Sequence, residues 1–275
     1  KGFIDKKILL KLSKGEDEIA ALAIPLNNDK TLEKLFSKLI DNLDQNNGHI
    51  KAASAVGILR INNDNKKART ILNDFLDVKD EETTALALDY LKTSSELLPK
   101  NTLYKLLSHR SVNISIAALN VAGNRLDEYY LPAIISNLGN VKIAQKARTV
   151  LRLYDDMSVI NALKGQLRDN GTPLNLSTGI VRCFSSYPQT DSVSILRSQL
   201  SQYNLDLSIS CSDAMLKIAK TKKIEDDFKN PFLIEIKKFS KQYFSLYCFM
   251  MLIRKNEKSI LIQDQITTEQ RKLVH

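Results

Sequence analysis

Apolar residues fall at helical spacing along most of the chain, and the pattern returns about every 31 residues. Taking Ile50, Glu82, Ile114, Ile143, Leu176 and Leu207 as anchors, successive spacings are 32, 32, 29, 33 and 31. Eight residues after each anchor stand Ile58, Tyr90, Ala122, Leu151, Phe184 and Met215. Four residues after stand Ser54, Leu86, Ala118, Ala147, Ile180 and Cys211, all apolar but the first. Positions 0, 4, 7, 8 and 11 share one face of an α-helix, so each anchor opens an amphipathic helix with a buried stripe. Three residues after the anchors, Ala53, Ala85, Ala117, Gly179 and Ser210 are small enough to let a neighbouring helix come close.

A second apolar-periodic stretch precedes each of these helices, as in TLEKLFSKLIDNL, KKARTILNDFL, EYYLPAIISNL and DSVSILRSQL, and predicts a partner helix of about three turns. Polar joints such as DQNNGH, GNRLDE and DNGTP carry the Asn, Asp, Gly and Pro that turn or cap helices. A weaker copy anchored on Ile19, its helix interrupted by Pro25, makes about seven pairs. One pair cannot bury its apolar face alone, whereas stacked pairs form a continuous core. The expected fold is an all-α, right-handed superhelix over residues 1–220, with the second helix of each pair lining the concave surface. Residues 221–275 are expected to form a C-terminal helical cap, its Phe239, Tyr243 and Tyr247 four apart on one face.

Composition adds bounds. The 275 residues are 43% hydrophobic and 26% charged, an ordinary globular balance that excludes disorder and collagen-like chains. Forty Lys and Arg against 31 Asp and Glu give a formal charge of +9, which brings nucleic acid or an anionic membrane surface into view. Residues 101–150 hold six cations, Arg110, Arg125, Lys142, Lys146 and Arg148 among them, against only Asp127 and Glu128. With Arg152, those five named residues are the candidate binding surface, able to meet phosphates if one face gathers them. No run of five or six basic residues occurs, so a solvated surface with no anionic partner is the preferred reading of the charge.

Candidate chemistry is sparse. Three cysteines, Cys183, Cys211 and Cys248, lie far apart with no CxxC, which points to reduced thiols and to neither a disulfide framework nor a zinc site. No phosphate-binding loop, dinucleotide fingerprint, zincin, nucleophile-elbow or EF-hand pattern occurs. His109 reads as a turn residue beside the helix that begins near Ser111, and Asp155–Asp156 and Glu225–Asp226–Asp227 read as helix-start carboxylates. No catalytic residue, metal, cofactor or small-molecule substrate is inferred. The chain opens KGFIDKKILLKLSKGEDE, with charge every few residues where a signal peptide would be apolar, and reads as an excised cytoplasmic piece. Its most apolar run, LYCFMMLI, is far shorter than the roughly 20 residues that span a bilayer.

The segment LLSHRSVNISIAALNVAGNRLDEYYLPAIISNLGN resembles HEAT repeats: a leucine pair, a short turn, a branched anchor, Ala-Ala-Leu, Gly123, then Leu131-Pro132 entering the next helix. KAASAVGIL and KARTVLRLYDDMSVINAL repeat it less closely, and the resemblance covers about residues 16–220. The family's Asp–Arg ladder is mostly missing, with Ser115, Ala144, Ser177 and Ser208 where an Arg usually follows the anchor. The layout is also similar to the HEAT module attached to bacterial nucleotide-translocase-like transporters, where repeats precede an aromatic helical segment like NPFLIEIKKFSKQYFSLYCFMMLIRK. That likeness implies the cytoplasmic part of a membrane protein. With no catalytic constellation in the sequence, the resemblance implies a non-catalytic scaffold for a protein partner, with an anionic membrane surface or an attached membrane domain as the further candidates. The alternative is a nucleic-acid-binding solenoid like the alkylpurine DNA glycosylases, although none of their catalytic residues, nor those of HEAT-like phycobilin lyases, is matched here.

Overall fold

The computed structural model describes residues 5–15, 17–77, 80–168, 171–200 and 204–221. The expected C-terminal cap, Cys248 and the acidic run 225–227 lie outside them. Among the described residues there are fourteen α-helices and no strand. They divide into two units, with the boundary between Ile180 and Val181.

In the first unit, helices alternate between two rows. The first row holds α1 (Lys6–Leu12), α3 (Asp29–Asn42), α5 (Lys66–Leu76), α7 (Lys100–Leu107), α9 (Leu131–Ser136) and α11 (Asp156–Arg168). The second row holds α2 (Glu18–Ala23), α4 (Gly48–Ile61), α6 (Glu81–Leu91), α8 (Val112–Arg125) and α10 (Val141–Leu151), and α12 (Leu174–Phe184) carries the chain across the boundary. Each second-row helix packs on the next, α2 on α4, α4 on α6, α6 on α8 and α8 on α10. First-row helices pack mainly on second-row neighbours, as α3 and α5 do on α4 and α7 does on α8. This is the HEAT and armadillo type of architecture, a stack of helix pairs. In the second unit, α13 (Thr190–Leu200) packs on α14 (Leu205–Lys220) around buried Val193, Leu196, Leu207, Cys211, Met215 and Ile218.

Sequence sets this arrangement through caps and small residues. Asp17, Asn47, Asp80, Ser111 and Asn140 each accept a backbone N–H from the first turn of a second-row helix, and Asn204 does the same for α14, satisfying donors that have no partner inside the helix. Three residues after these caps stand Ala20, Ile50, Thr83, Ile114, Ile143 and Leu207. The structural register therefore differs from the sequence-derived anchors by one residue in two copies, at Ala20 in place of Ile19 and Thr83 in place of Glu82. Ile19 is more than half exposed and Glu82 is exposed, while Ala20, Ala87, Tyr90 and Leu91 are buried. Pro25 does interrupt the first copy, turning the end of α2 into a 3-10 turn over Ile24–Leu26. Pro132 instead sits in the first turn of α9, where a missing N–H costs nothing.

Close approach is tightest at two glycines. A Cβ on Gly57 would lie 3.1 Å from the Ile24 side chain and 3.3 Å from Leu39. On Gly179 it would run into the Leu138 carbonyl, 2.7 Å from the carbonyl carbon. Cys183 and Cys211 are buried core thiols, as their place on the apolar stripe implies. Burial pushes the Cys211 thiol up to about 12, and burial, with smaller pushes from Glu18 and Asp89, raises the Tyr90 phenol to about 12.

Two outcomes follow from this packing. Gly179→Ala should lower stability by about 1–3 kcal/mol or more, since the backbone it meets cannot rotate away. Gly165→Ala, inside α11 with nothing within 4 Å, should raise stability by about 0.5–1 kcal/mol. Urea unfolding followed by circular dichroism measures both, and equal effects would refute the close approach. The second outcome concerns alkaline pH. Tyr90 and Cys211 ionise more readily unfolded, near 10.0 and 9.0, than folded, so their burial favours the fold fully below those values. That benefit is lost as pH rises towards about 12. Urea midpoints should hold near neutrality and fall above pH about 9, first through Cys211 and then through Tyr90, less steeply in Tyr90→Phe; an unaltered slope in that variant would count against Tyr90 as a contributor.

Candidate interaction surface

Counting from the caps reveals what the second row presents. Residues 2, 5 and 9 after a cap fall within about 60° of one another around a helix, on the side away from the buried stripe. On α6 these are Glu82, Ala85 and Asp89; on α8, Asn113, Ile116 and Asn120; on α10, Lys142, Gln145 and Thr149. Glu82, Asp89, Asn113, Lys142, Gln145 and Thr149 are exposed, and Ala85, Ile116 and Asn120 half-buried. Because α6, α8 and α10 pack side by side, the nine residues form a ridge of three adjacent strips. Glu82 and Asp89 make the α6 strip acidic, the α8 strip is uncharged, and Lys142 gives the α10 strip its one positive charge. Among the described residues no ion pair engages Glu82, Asp89, Lys142 or Lys146, unlike Arg60–Asp29, Lys67–Asp44, Lys100–Asp127 and Lys217–Asp213.

Other polar side chains serve the stack itself. Thirteen or fourteen residues after the caps, second-row helices reach back to carbonyls of an earlier repeat. Arg60 Nη1 donates to Pro25 O at 2.9 Å and its Nη2 pairs with Asp29 at 2.6 Å. Thr93 Oγ1 donates to the same Pro25 oxygen at 3.2 Å. Asn124 donates to Lys92 O at 2.6 Å, Arg125 to Leu98 O at 2.8 Å, and Tyr154 to Ala122 O at 3.1 Å. These bonds tie repeat to repeat where the usual Asp–Arg ladder is missing.

Arg125 is also part of an aromatic clamp. Leu126 ends α8 in the left-handed conformation, φ 52°, and turns the chain into Asp127. The Arg125 guanidinium lies 5.7 Å from the centre of the buried Tyr130 ring, Tyr129 meets Tyr130 edge-on at 5.4 Å, and Tyr104 lies 5.4 Å from Tyr129. Lys100 pairs with Asp127 at 2.5 Å, and that bond, with the Tyr129 N–H, holds the Asp127 carboxyl below the usual carboxylate range.

The six cations named from the sequence are thus divided. Arg110 stands exposed just before the cap Ser111, and Lys142 lies at the capped end of α10. Arg125 and Arg152 lie at the other ends of α8 and α10, about 20 Å away along the fourteen residues of α8 and about 15 Å away along the eleven of α10. Lys146 and Arg148, two residues apart on α10, point about 160° from each other and are both half-buried at its flanks. Only Lys142 belongs to the ridge proper, with Lys146 at its shoulder. His109 does take part in a cap, its Nδ1 accepting the Ser111 N–H at 3.1 Å, and Asp155 caps α11 by accepting the Ser158 N–H at 2.9 Å.

What the sequence reading missed is the acidic strip, because Glu82 had been placed on a buried stripe. The signal was available in the caps: Asp80, Ser111 and Asn140 at intervals of 31 and 29 set the register directly. Among the described residues no group of His, Cys, Asp and Glu is arranged to hold a metal, and no helix is long and apolar enough to cross a membrane.

No known family's sequence profile matches the chain, and no curated protein matches it. Among solved structures it is similar to the complex of CpcE and CpcF of phycocyanin lyase from Nostoc sp. PCC7120, at 13% identity over 88% of this chain and 96% of that one, with a TM-score of 0.36. A designed armadillo repeat protein is similar at 14% identity over 78% of this chain and 100% of the design, with a TM-score of 0.29. Likenesses this distant bear on no functional point, and the architecture stands on the chain's own packing.

The division of cations has a direct consequence for stability. Arg125→Met should cost about 1.5–3 kcal/mol, the range for a hydrogen bond from a charged donor, while Lys142→Met should stay within about 0.5 kcal/mol. Urea midpoints of the two variants separate a cation that holds the stack from one that it presents; equal midpoints would contradict the assignment.

Proposed function

We propose that the chain is a non-catalytic scaffold that offers the exposed ridge of its second-row helices, best defined on α6, α8 and α10, to a protein partner. One observation carries this reading. The charged ridge side chains Glu82, Asp89 and Lys142 are exposed, ordered from acidic to basic and without ion pairs among the described residues, whereas the polar groups at or just past the ends of the same helices are spent on joining repeats. Packing does not require charge at these positions. A partner that meets several helices at once does, because complementary charge sets orientation and rate of encounter.

A nucleic-acid partner would want one run of cations facing the phosphates. Here the cations lie at two ends and two flanks, and acids share their row, which speaks for protein. Attachment to a membrane transporter would leave the same ridge as the surface offered to a cytoplasmic partner.

The test is position-specific photo-crosslinking in the cell of origin. A benzophenone side chain placed at Ala85, Ile116 or Gln145 should give one common protein adduct, and the same group at Asn73 on α5 or Lys105 on α7 should not. Adducts that arise only from the first-row positions, or only with nucleic acid, would overturn the reading.

A further inference from the structure

The order of charge on the ridge specifies what kind of segment fits it. We infer that the ridge takes a bipolar peptide segment lying across the helices, with a basic end over Glu82 and Asp89 of α6, an uncharged middle over Asn113, Ile116 and Asn120 of α8, and an acidic end over Lys142 and Lys146 of α10. This rests on the scaffold reading and narrows it to one chemistry.

Geometry sets the length. Neighbouring packed helices lie about 8–10 Å apart, so two steps from α6 to α10 span about 16–20 Å. An extended chain rises about 3.3 Å per residue and covers that distance in about five or six residues. The charged ends of the segment should therefore be separated by about that many uncharged residues. Neither end of the ridge is neutralised internally: Glu82, Asp89, Lys142 and Lys146 make no ion pair among the described residues, and the acids and cations are separated by the whole width of α8. At that separation and physiological salt they are screened from each other, since the Debye length is about 8 Å. A bound segment brings an opposite charge to each of them at contact distance. The half-buried Ile116 gives the middle of the segment an apolar footing. A uniformly charged segment would gain at one strip and be repelled at the other, so the ridge discriminates by pattern and not by net charge.

The experiment uses the full chain and fluorescent ten-residue peptides, with two lysines at one end, two glutamates at the other and six Ser and Ala between. The control has the same composition with lysine and glutamate alternating. By fluorescence anisotropy in low salt, the bipolar peptide should bind at least tenfold more tightly than its alternating isomer. Glu82→Lys with Asp89→Lys should remove that preference and favour an all-acidic peptide; the neutral pair Glu82→Gln with Asp89→Asn should weaken the bipolar peptide without favouring the acidic one. Adding Lys142→Glu and Lys146→Glu to the lysine pair should restore bipolar binding with the direction reversed. A benzophenone at the lysine end would then crosslink to residues 141–151 in place of 81–91. All of these positions lie outside the buried core, and unchanged helicity confirms folding. Equal binding of the two isomers, no binding of either, or a preference that survives the lysine pair overturns the inference. Crosslinks from Ala85, Ile116 and Gln145 to the cellular partner would persist in that case if the scaffold reading alone is right.

Discussion

The structure depends on how closely each second-row helix can approach the elements packed against it. A helix pair of this length has too little core of its own, and its stability comes from the face it shares with its neighbour. That face is built where side chains are short. Ala53, Gly57 and Ala117 are almost wholly buried, and at Gly179 not even a methyl group fits beside the Leu138 backbone. Close approach in turn lets branched residues such as Ile50, Ile114, Leu119 and Val121 fill the space on either side without a gap. A helix such as α4, with nine of its fourteen residues buried, shows how complete the enclosure becomes when α2, α3, α5 and α6 all rest on it.

Once the helices stack that closely, their ends come within reach of the repeat before. The donors at the ends of α4 and α8, and Thr93 just past α6, exploit this, binding carbonyls that a helix terminus or turn leaves without an internal partner, while Tyr154, just past α10, donates to the Ala122 oxygen that also accepts the Leu126 N–H. A regular Asp–Arg ladder would do similar work through ion pairs. Bonds to backbone carbonyls do it without needing a fixed residue at each step, so Arg, Thr, Asn and Tyr can all serve. This explains how the repeat period holds while the sequence of each copy drifts.

Much of the fold could be read from the sequence because its determinants are local and repeated. Spacing of apolar residues located the second-row helices, Pro25 marked the broken one, and small residues marked the helix contacts. The one-residue slip at Glu82 and Ile19 came from weighting apolar spacing over capping. An N-cap fixes the start of a helix by a specific hydrogen bond, whereas an apolar stripe about 100° wide tolerates a shift of one position. The same slip hid the ridge, since Glu82 was counted as core. Grouping of the basic residues was not legible at all: Arg125 is drawn to the Leu98 carbonyl and the Tyr130 ring by a fold that brings together residues 27 and five positions apart.

Net charge was a poor guide for a related reason. The excess of cations between 101 and 150 is real, but in a stack of helices the end, flank and exposed strip of each helix face different surroundings, and one stretch of sequence supplies all three. Arg125 stabilises the stack and contributes little to any outer surface. Positions 2, 5 and 9 after the caps are the opposite case on α6, α8 and α10. Six of the nine are exposed, and a substitution at those six costs folding little, within about 0.5 kcal/mol. Folding therefore does not explain why acid, amide and base appear on three successive helices at equivalent positions. A partner of the kind proposed would, and it would act where the stack is most tolerant of change. The separation of duties between buried stripe, helix end and exposed ridge is what allows such a partner to be met without disturbing the core.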